Sequence, residues 1–366
     1  MIAQPVLERL AAPVPPPEIR ARVARLPRVP LALTPTPLHE APRLAAELRI
    51  GRLFVKRDDL TGLAFGGNKT RNLEFRLAEA VAEGADTVVA GLEAQSNSAR
   101  QTAAAANILG LRTVLVLRKD REWHWQGNPL IDRILGADVR FLEESGPAAM
   151  DRALREVAAE LRARGRRPYV MNHGKAFATG SALGYLLCTL EIVEQMAGFG
   201  VEPTHLYMAS GNKGHAGLIL GRLLLGKPFR TVAISQHYAD DRISGAVAGV
   251  RDAAGALGWD VEISPADVES YDDYVETAYG LPSPSGLAAI ALAARTEGLL
   301  LDPIYSGKAM AGLIDHARRG RLGKDDVVVF VHTGGLPALF AFKDEIIAEL
   351  DADNRDPNGT RTGARA

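Results

Sequence analysis

The sequence predicts an α/β fold in which mostly parallel sheets are covered by helices on both sides. Three observations predict it. Short β-branched runs alternate with longer helical stretches along most of the chain. The runs are apolar at consecutive positions, so both faces of each strand meet protein, as in parallel sheets between helical layers. Several runs end in turns that combine Gly with hydroxyl or amide side chains just ahead of a helix.

In chain order, residues 1–30 with "PVPPPE" read as a poorly packed arm. "RLFVKRD" is a strand, and "NKTRNLEFRLAEAVAEG" a helix ended by Gly84. The strand "DTVVAG", the helix "SNSARQTAAAANILG" and the strand "RTVLVLR" follow, then "VRFLE", the helix "AAMDRALREVAAELRARG" and the strand "PYVMN". A long helix spans Gly184 to Met196. The strand "THLYMAS", the helix "AGLILGRLLLG" and the strand "FRTVAIS" come next, with helices from Ser244 onward. "DVVVFVHTGG" is an apolar strand ending in a Gly turn, and the polar residues 351–366 predict a disordered tail.

The charge balance of 43 Lys and Arg against 44 Asp and Glu gives no general attraction for nucleic acid or an anionic membrane. A small molecule is the expected partner. The single cysteine, Cys188, lies in an apolar helical pattern and predicts a buried thiol in a reducing, cytoplasmic compartment. The N-terminus lacks the uninterrupted apolar core of a signal peptide, and no window approaches the ~20 apolar residues of a membrane span. The histidines are scattered without zinc-ligand spacing, and no metal is expected. "REWHWQG", around Trp123 and Trp125, reads as a surface flap or a subunit contact.

Open α/β sheets place ligands beyond the carboxyl ends of their strands. Four turns qualify: "GLEAQSNSARQ", "NHGKAFATGS", "ASGNKGHAGL" and "HTGGLPALF". Their backbone N–H groups suit an anion. None fits G-x-G-x-x-G or the P-loop pattern.

In "AFGGNKTRNLEF" two glycines permit close backbone approach, Asn68 is a candidate helix cap, and Lys69 falls in the first helical turn. A cation there opposes the helix dipole, and with burial this lowers an amine's pKa and makes it a nucleophile toward carbonyls. On this stretch alone a solvated helix-start charge, a phosphate-binding charge and a reactive amine all remain open.

Five stretches stand in order from about residue 34 to 345: "LTPTPLHEAPRLAAEL", "LFVKRDDLTGLAFGGNKTRNLEF", "AQSNSARQTAAAANILG", "RTEGLLLDPIYSGKAMAGL" and "HTGGLPALF". Together they resemble pyridoxal-phosphate enzymes of the tryptophan-synthase β-type fold (fold type II). More narrowly, they resemble the branch containing D-cysteine desulfhydrase and 1-aminocyclopropane-1-carboxylate deaminase. The resemblance implies two open, twisted, mostly parallel sheets. Residues 1–71 and 174–350 would form the larger, cofactor-binding domain and 72–173 the smaller, in a homodimer.

The same resemblance implies pyridoxal 5′-phosphate as cofactor, joined through its aldehyde to Lys69. Asn68 would lie beside it. Ser96 and Asn97 would hold the substrate carboxylate and the ring hydroxyl, with Ser98 alongside. Ser210, Gly211, Asn212, Lys213 and Gly214 would form the phosphate turn, with His215 either beside the phosphate or structural. Tyr279 and Tyr305 would face the substrate and relay protons, Ser306 would meet the pyridine nitrogen, and Thr333 would line the ring.

Two positions bear on substrate. The resembling deaminases carry Glu where this chain has Ser306, and Leu where it has Thr333; the desulfhydrase-like members carry Thr at the latter. A serine holds the ring nitrogen less firmly protonated than a glutamate, which suits loss of a good β-leaving group better than cyclopropane opening. The implied activity is elimination and deamination of a small β-substituted amino acid, with D-cysteine first. The alternatives are the cyclopropane amino acid, another β-substituted amino acid such as cysteate, and a non-catalytic binding protein on the same fold. The chain departs from the pattern at "SGNKGHAGL", where Asn212 and Lys213 replace glycines. It departs again at Asn72, where Lys is usual. The paired departure predicts that Lys213 supplies a phosphate charge that Asn72 lacks.

Overall fold

The computed structural model describes residues 7–118, 125–144, 146–174, 176–238 and 240–353. Trp123 and residues 354–366 lie outside them.

The larger sheet has six strands in the spatial order Glu269–Tyr271, Arg230–Ile234, His205–Ala209, Val327–Val331, Arg52–Lys56 and Leu38–Glu40. The first five run parallel, and Leu38–Glu40 pairs antiparallel with Arg52–Lys56 at the edge. The four parallel strands of the smaller sheet are ordered Asp138–Leu142, Arg112–Arg118, Thr87–Glu93 and Pro168–Val170. A short parallel pair, Glu8–Arg9 with Trp259–Asp260, ties down the N-terminus.

Side chains alternate across a strand, so the consecutive apolar residues of Val327–Val331 feed two cores. Val328 and Phe330 join Leu53, Val55, Tyr207 and Val232 under the helices Pro284–Glu297 and Ser306–Arg318. Val329 and Val331 join Phe54, Leu206 and Met208 under the helix Ala176–Gly198, where Cys188 is fully buried as expected. In the smaller sheet Val88, Leu115 and Leu117 meet the helices Lys69–Ala82 and Asn97–Ile108, while Val89, Val114 and Val116 meet the helix Pro147–Ala163. Burying one such Val or Leu side chain stabilises the fold by roughly 1.5–3 kcal/mol.

The helix Lys69–Ala82 stands at the junction. Its Leu73 and Leu77 pack toward the smaller sheet and its Phe75 toward the helix Ala176–Gly198. The buried Arg71 on the same helix is satisfied by Asp58 and Glu191, at 2.7 and 2.8 Å.

Two expectations are corrected. The described part of the N-terminal arm, from residue 7, is packed: the helix Pro16–Val23 buries Ile19 and Val23, and Glu74 accepts hydrogen bonds from the Arg28 guanidinium and, just beyond the arm, the Leu31 and Ala32 amides. Its prolines fit because one opens the helix, where an amide hydrogen is not needed. Residues 351–353 also depart from the expected tail, since they close the helix Lys343–Asp353; residues 354–366 of that expectation lie outside the described residues. Trp125, from the expected flap, stacks under the Arg133 guanidinium at 4.4 Å.

Candidate active site

A cavity of about 410 Å³ opens at the carboxyl ends of strands from both sheets. This is where parallel strands aim their following turns and helix N-termini. Lys69 reaches it from a loop that only glycine permits. Gly66 and Gly67 have φ of 65° and 122°, and a Cβ on Gly66 would lie 1.9 Å from the Asp59 carbonyl oxygen. Thr61 Oγ1 clamps the loop, donating to the Gly67 carbonyl and accepting from its amide, each at 2.8 Å.

Asn68 lines the cleft, yet its side chain does not cap the helix, contrary to expectation. Gln101 takes that part from the neighbouring helix: its Oε1 accepts from the Thr70 amide and hydroxyl, each at 2.8 Å. The Asn68 amide donates to the Thr333 carbonyl at 3.0 Å, tying the lysine loop to the turn after Val327–Val331.

Burial, with the Arg76 charge second, brings the Lys69 amine down to about 8. Lys213 is lowered to about 8 by the same causes, and burial lowers Arg76 to about 10. All three cations line the cleft, and none of its described lining residues is Asp or Glu. Arg76 and Lys213 flank the Phe177 ring, with the guanidinium carbon 4.8 Å and Nζ 3.5 Å from its centre. Asn72 sits in this corner, donating to Ser181 at 3.2 Å with its Oδ1 unpartnered.

Ser96 caps the helix Asn97–Ile108, accepting from the amides of Ser98 and Ala99. Its O–H remains available to donate, and Ser96, Asn97 and Ser98 all line the cleft. The buried Arg100 fixes Asn97, donating to its Oδ1 at 3.0 Å and to the Gly66 carbonyl at 2.8 Å. One guanidinium thus links the lysine loop to the Ser96–Ser98 turn.

The turn Ser210–Gly214 opens the helix Lys213–Leu224. Ser210 Oγ accepts from the His215 amide, and Asn212 Oδ1 from the Lys213 amide. Gly211 must be bare, since a Cβ there would meet His237 at 2.8 Å. His215 does not line the cleft. It is fully buried, with Nε2 2.9 Å from the Thr231 carbonyl oxygen, which is a structural position.

The hydroxyls of Tyr279 and Tyr305 lie 3.1 Å apart at the cleft wall, and desolvation at the hydroxyls raises both from the usual phenol value. Thr333 lines the cleft as well. Ser306 does not. It is fully buried, and its hydroxyl donates to Asp302 Oδ1 at 2.5 Å.

Sequence reasoning missed Arg76, Gln236 and His237 among the lining residues. The last two had a signal, because they directly follow the strand Arg230–Ile234 at its carboxyl end. The His237 ring meets Tyr279 edge-on, 5.6 Å between centres.

The residues fit a phosphorylated, aromatic aldehyde. Two cations, Arg76 and Lys213, without a carboxylate beside them suit a phosphate dianion. Gly211 leaves a bare turn for it, and Asn72 Oδ1, Gln236 Oε1 and His237 Nδ1 are buried in the walls without partners. A buried amine near 8 suits a carbonyl.

Residues 29–334 match the family model described as "Pyridoxal-phosphate dependent enzyme". A D-cysteine desulfhydrase of Yersinia enterocolitica is 41% identical over 337 residues, covering 90% of this chain and 99% of that protein. One from Klebsiella pneumoniae is 42% identical over 330 residues, 87% of this chain and 97% of the other. A crystal structure described as an ACC deaminase homologue superposes with a TM-score of 0.82 at 36% identity, covering 91% of this chain and 99% of that one. Diaminopropionate ammonia lyase of Escherichia coli, at 19% identity and a TM-score of 0.66, shares the fold. The chain belongs to the pyridoxal-phosphate-dependent enzymes of fold type II, and it is a lyase of their D-cysteine desulfhydrase and ACC deaminase branch.

Proposed function

We propose that the chain eliminates the β-substituent and the amine from a small β-substituted amino acid, with D-cysteine as its substrate. One molecule each of D-cysteine and water would give sulfide, pyruvate and ammonia. The observation that carries this reading is the placement of Lys69 and the Tyr279–Tyr305 pair on one cleft whose described walls hold no carboxylate. The relatives at 41% and 42% identity are D-cysteine desulfhydrases, which supports the choice of amino acid.

Joined to Lys69, pyridoxal phosphate would supply an electron sink for the pair left when the substrate Cα loses its proton. The protein's own residues do the rest. The Ser96 hydroxyl and the N-terminus of the helix Asn97–Ile108 bind the substrate carboxylate. Lys213, Arg76 and the Ser210–Gly214 turn bind the cofactor phosphate, with Lys213 making up for Asn72. Asn68, Asn97 and Thr333 border the ring. The Lys69 amine takes the Cα proton at Nζ. The Tyr279–Tyr305 pair, kept protonated by desolvation at its hydroxyls, hands a proton to the departing sulfur.

Residues 72–173 form the smaller domain and 1–71 with 174–350 the larger in this reading; all four strands of the smaller sheet fall inside the first range. The chain is proposed to act as a homodimer in the cytoplasm. Leu33, Leu60 and Phe65, exposed near the lysine loop, offer apolar surface to a second copy, and a lone buried thiol suits a reducing compartment. Among the described residues no helix is long and apolar enough to cross a membrane.

Purified protein offered D-cysteine, L-cysteine and 1-aminocyclopropane-1-carboxylate tests the reading. Sulfide and pyruvate from D-cysteine are the expected products. Turnover of the cyclopropane amino acid alone would overturn it.

A further inference from the structure

The start of the helix Ser306–Arg318 is organised by one buried side chain four residues upstream. Asp302 is fully buried. Its Oδ2 accepts from the amides of Ile304 and Tyr305, at 3.0 and 2.9 Å. Its Oδ1 accepts from the Ser306 amide at 2.8 Å and the Ser306 hydroxyl at 2.5 Å. The Asp302 carbonyl takes the Gly307 amide at 2.8 Å. Four amides at the helix start are thereby satisfied by one residue, while Tyr305, the residue at the cap position, contributes no side-chain bond.

The same geometry uses up Ser306. A serine hydroxyl has one proton and two lone pairs. The proton goes to Asp302 Oδ1, and one lone pair accepts the Asp302 amide at 2.8 Å. The remaining lone pair cannot donate to a pyridine nitrogen, and Ser306 is absent from the cleft wall. Asp302 also packs on the far side against the Thr333 turn: a Cβ on Gly335 would lie 2.6 Å from Asp302 Cγ.

We infer that Asp302 is a positioning residue that turns Tyr305 into the cleft and withholds the Ser306 hydroxyl from the cofactor ring. This rests on the functional reading above for the part Tyr305 plays. Asp302 fixes the tyrosine through the Tyr305 amide and packs against the Thr333 turn. Ser306 serves the helix start and leaves the ring nitrogen without a donor from this helix.

The test uses cofactor-loaded wild type, Ser306→Ala and Asp302→Asn. It reads the pH dependence of the visible absorbance band, together with kcat and KM for D-cysteine per bound cofactor. Ser306→Ala is expected to keep the band position and its pH dependence. Asp302→Asn, whose amide group cannot accept from both pairs of donors, is expected to lower kcat about tenfold or more with KM within about twofold, and to move the alkaline limb of the kcat profile. A shifted band in Ser306→Ala would overturn the inference. So would an Asp302→Asn protein that loses thermal stability while its kcat and pH profile stay at wild-type values. Should Asp302→Asn fail to fold, the Ser306→Ala spectrum decides alone. If wild type does not turn over D-cysteine, the functional reading fails, and that spectrum still decides whether Ser306 touches the ring.

Discussion

The hydroxyl of Tyr279 stands 3.1 Å from that of Tyr305, across 26 residues of sequence. Tyr305 opens the helix Ser306–Arg318, while Tyr279 sits on the loop ahead of the helix Pro284–Glu297. That loop is held in place from below, where the buried Lys308 Nζ donates to the Val275 carbonyl at 3.0 Å. The pair shares one hydrogen bond, which leaves one phenol proton free to move.

Removing either hydroxyl breaks this relay while leaving the ring to fill its space. Tyr279→Phe and Tyr305→Phe are each expected to lower kcat by about 10²-fold or more, a general acid–base contribution, with KM little changed. Steady-state kinetics with D-cysteine checks this. An unchanged kcat in both would remove the tyrosines from the chemistry.

Lys213 approaches the Phe177 ring at 3.5 Å in the corner that also holds Arg76 and Asn72. Lys213→Ala is expected to weaken pyridoxal-phosphate binding about tenfold, ~1.4 kcal/mol, and Asn72→Ala by less. Titration of cofactor-free protein by absorbance measures both. Wild-type affinity in Lys213→Ala would contradict the assignment.

The Lys69 amine lies near 8, against 10.5 for an ordinary lysine, chiefly through burial. The neutral form attacks the aldehyde, and its fraction climbs from roughly one in ten at pH 7 to roughly half at pH 8. Capture of pyridoxal phosphate by cofactor-free protein should therefore quicken about fivefold over that step and level off above about pH 9. An unshifted lysine would still gain about eightfold between pH 9 and pH 10. Arg76→Leu, which removes a repelling charge, should move the midpoint upward. Stopped-flow absorbance across pH distinguishes these outcomes.

Much of this was legible in the chain because one residue type at one spacing decided it. Consecutive apolar residues such as Val327–Val331 declare a strand covered on both faces, and Gly66-Gly67 ahead of Lys69 declares a backbone only glycine adopts. The edge strand Leu38–Glu40 escaped because three residues with a histidine and a glutamate carry no apolar run. Arg76 escaped for a different reason. An arginine on an amphipathic helix reads as solvent-facing, and it enters the cleft only because the helix Ala176–Gly198 covers its other side, where a Cβ on Gly180 would lie 3.2 Å from Arg76 Cγ. Adjacency placed Ser306 beside Tyr305, but the partner that withholds its hydroxyl is Asp302, and that hydrogen bond exists only once the turn has folded.

Three amines compete for the cofactor aldehyde, since burial lowers Lys69, Lys213 and Lys308 alike to about 8. Borohydride reduction of the cofactor-loaded protein, followed by peptide mass spectrometry, reads this directly. The phosphopyridoxyl mass is expected on the peptide containing Lys69, and its loss in Lys69→Ala. Label on Lys213 or Lys308 instead, or no label on a protein that retains activity, would contradict it.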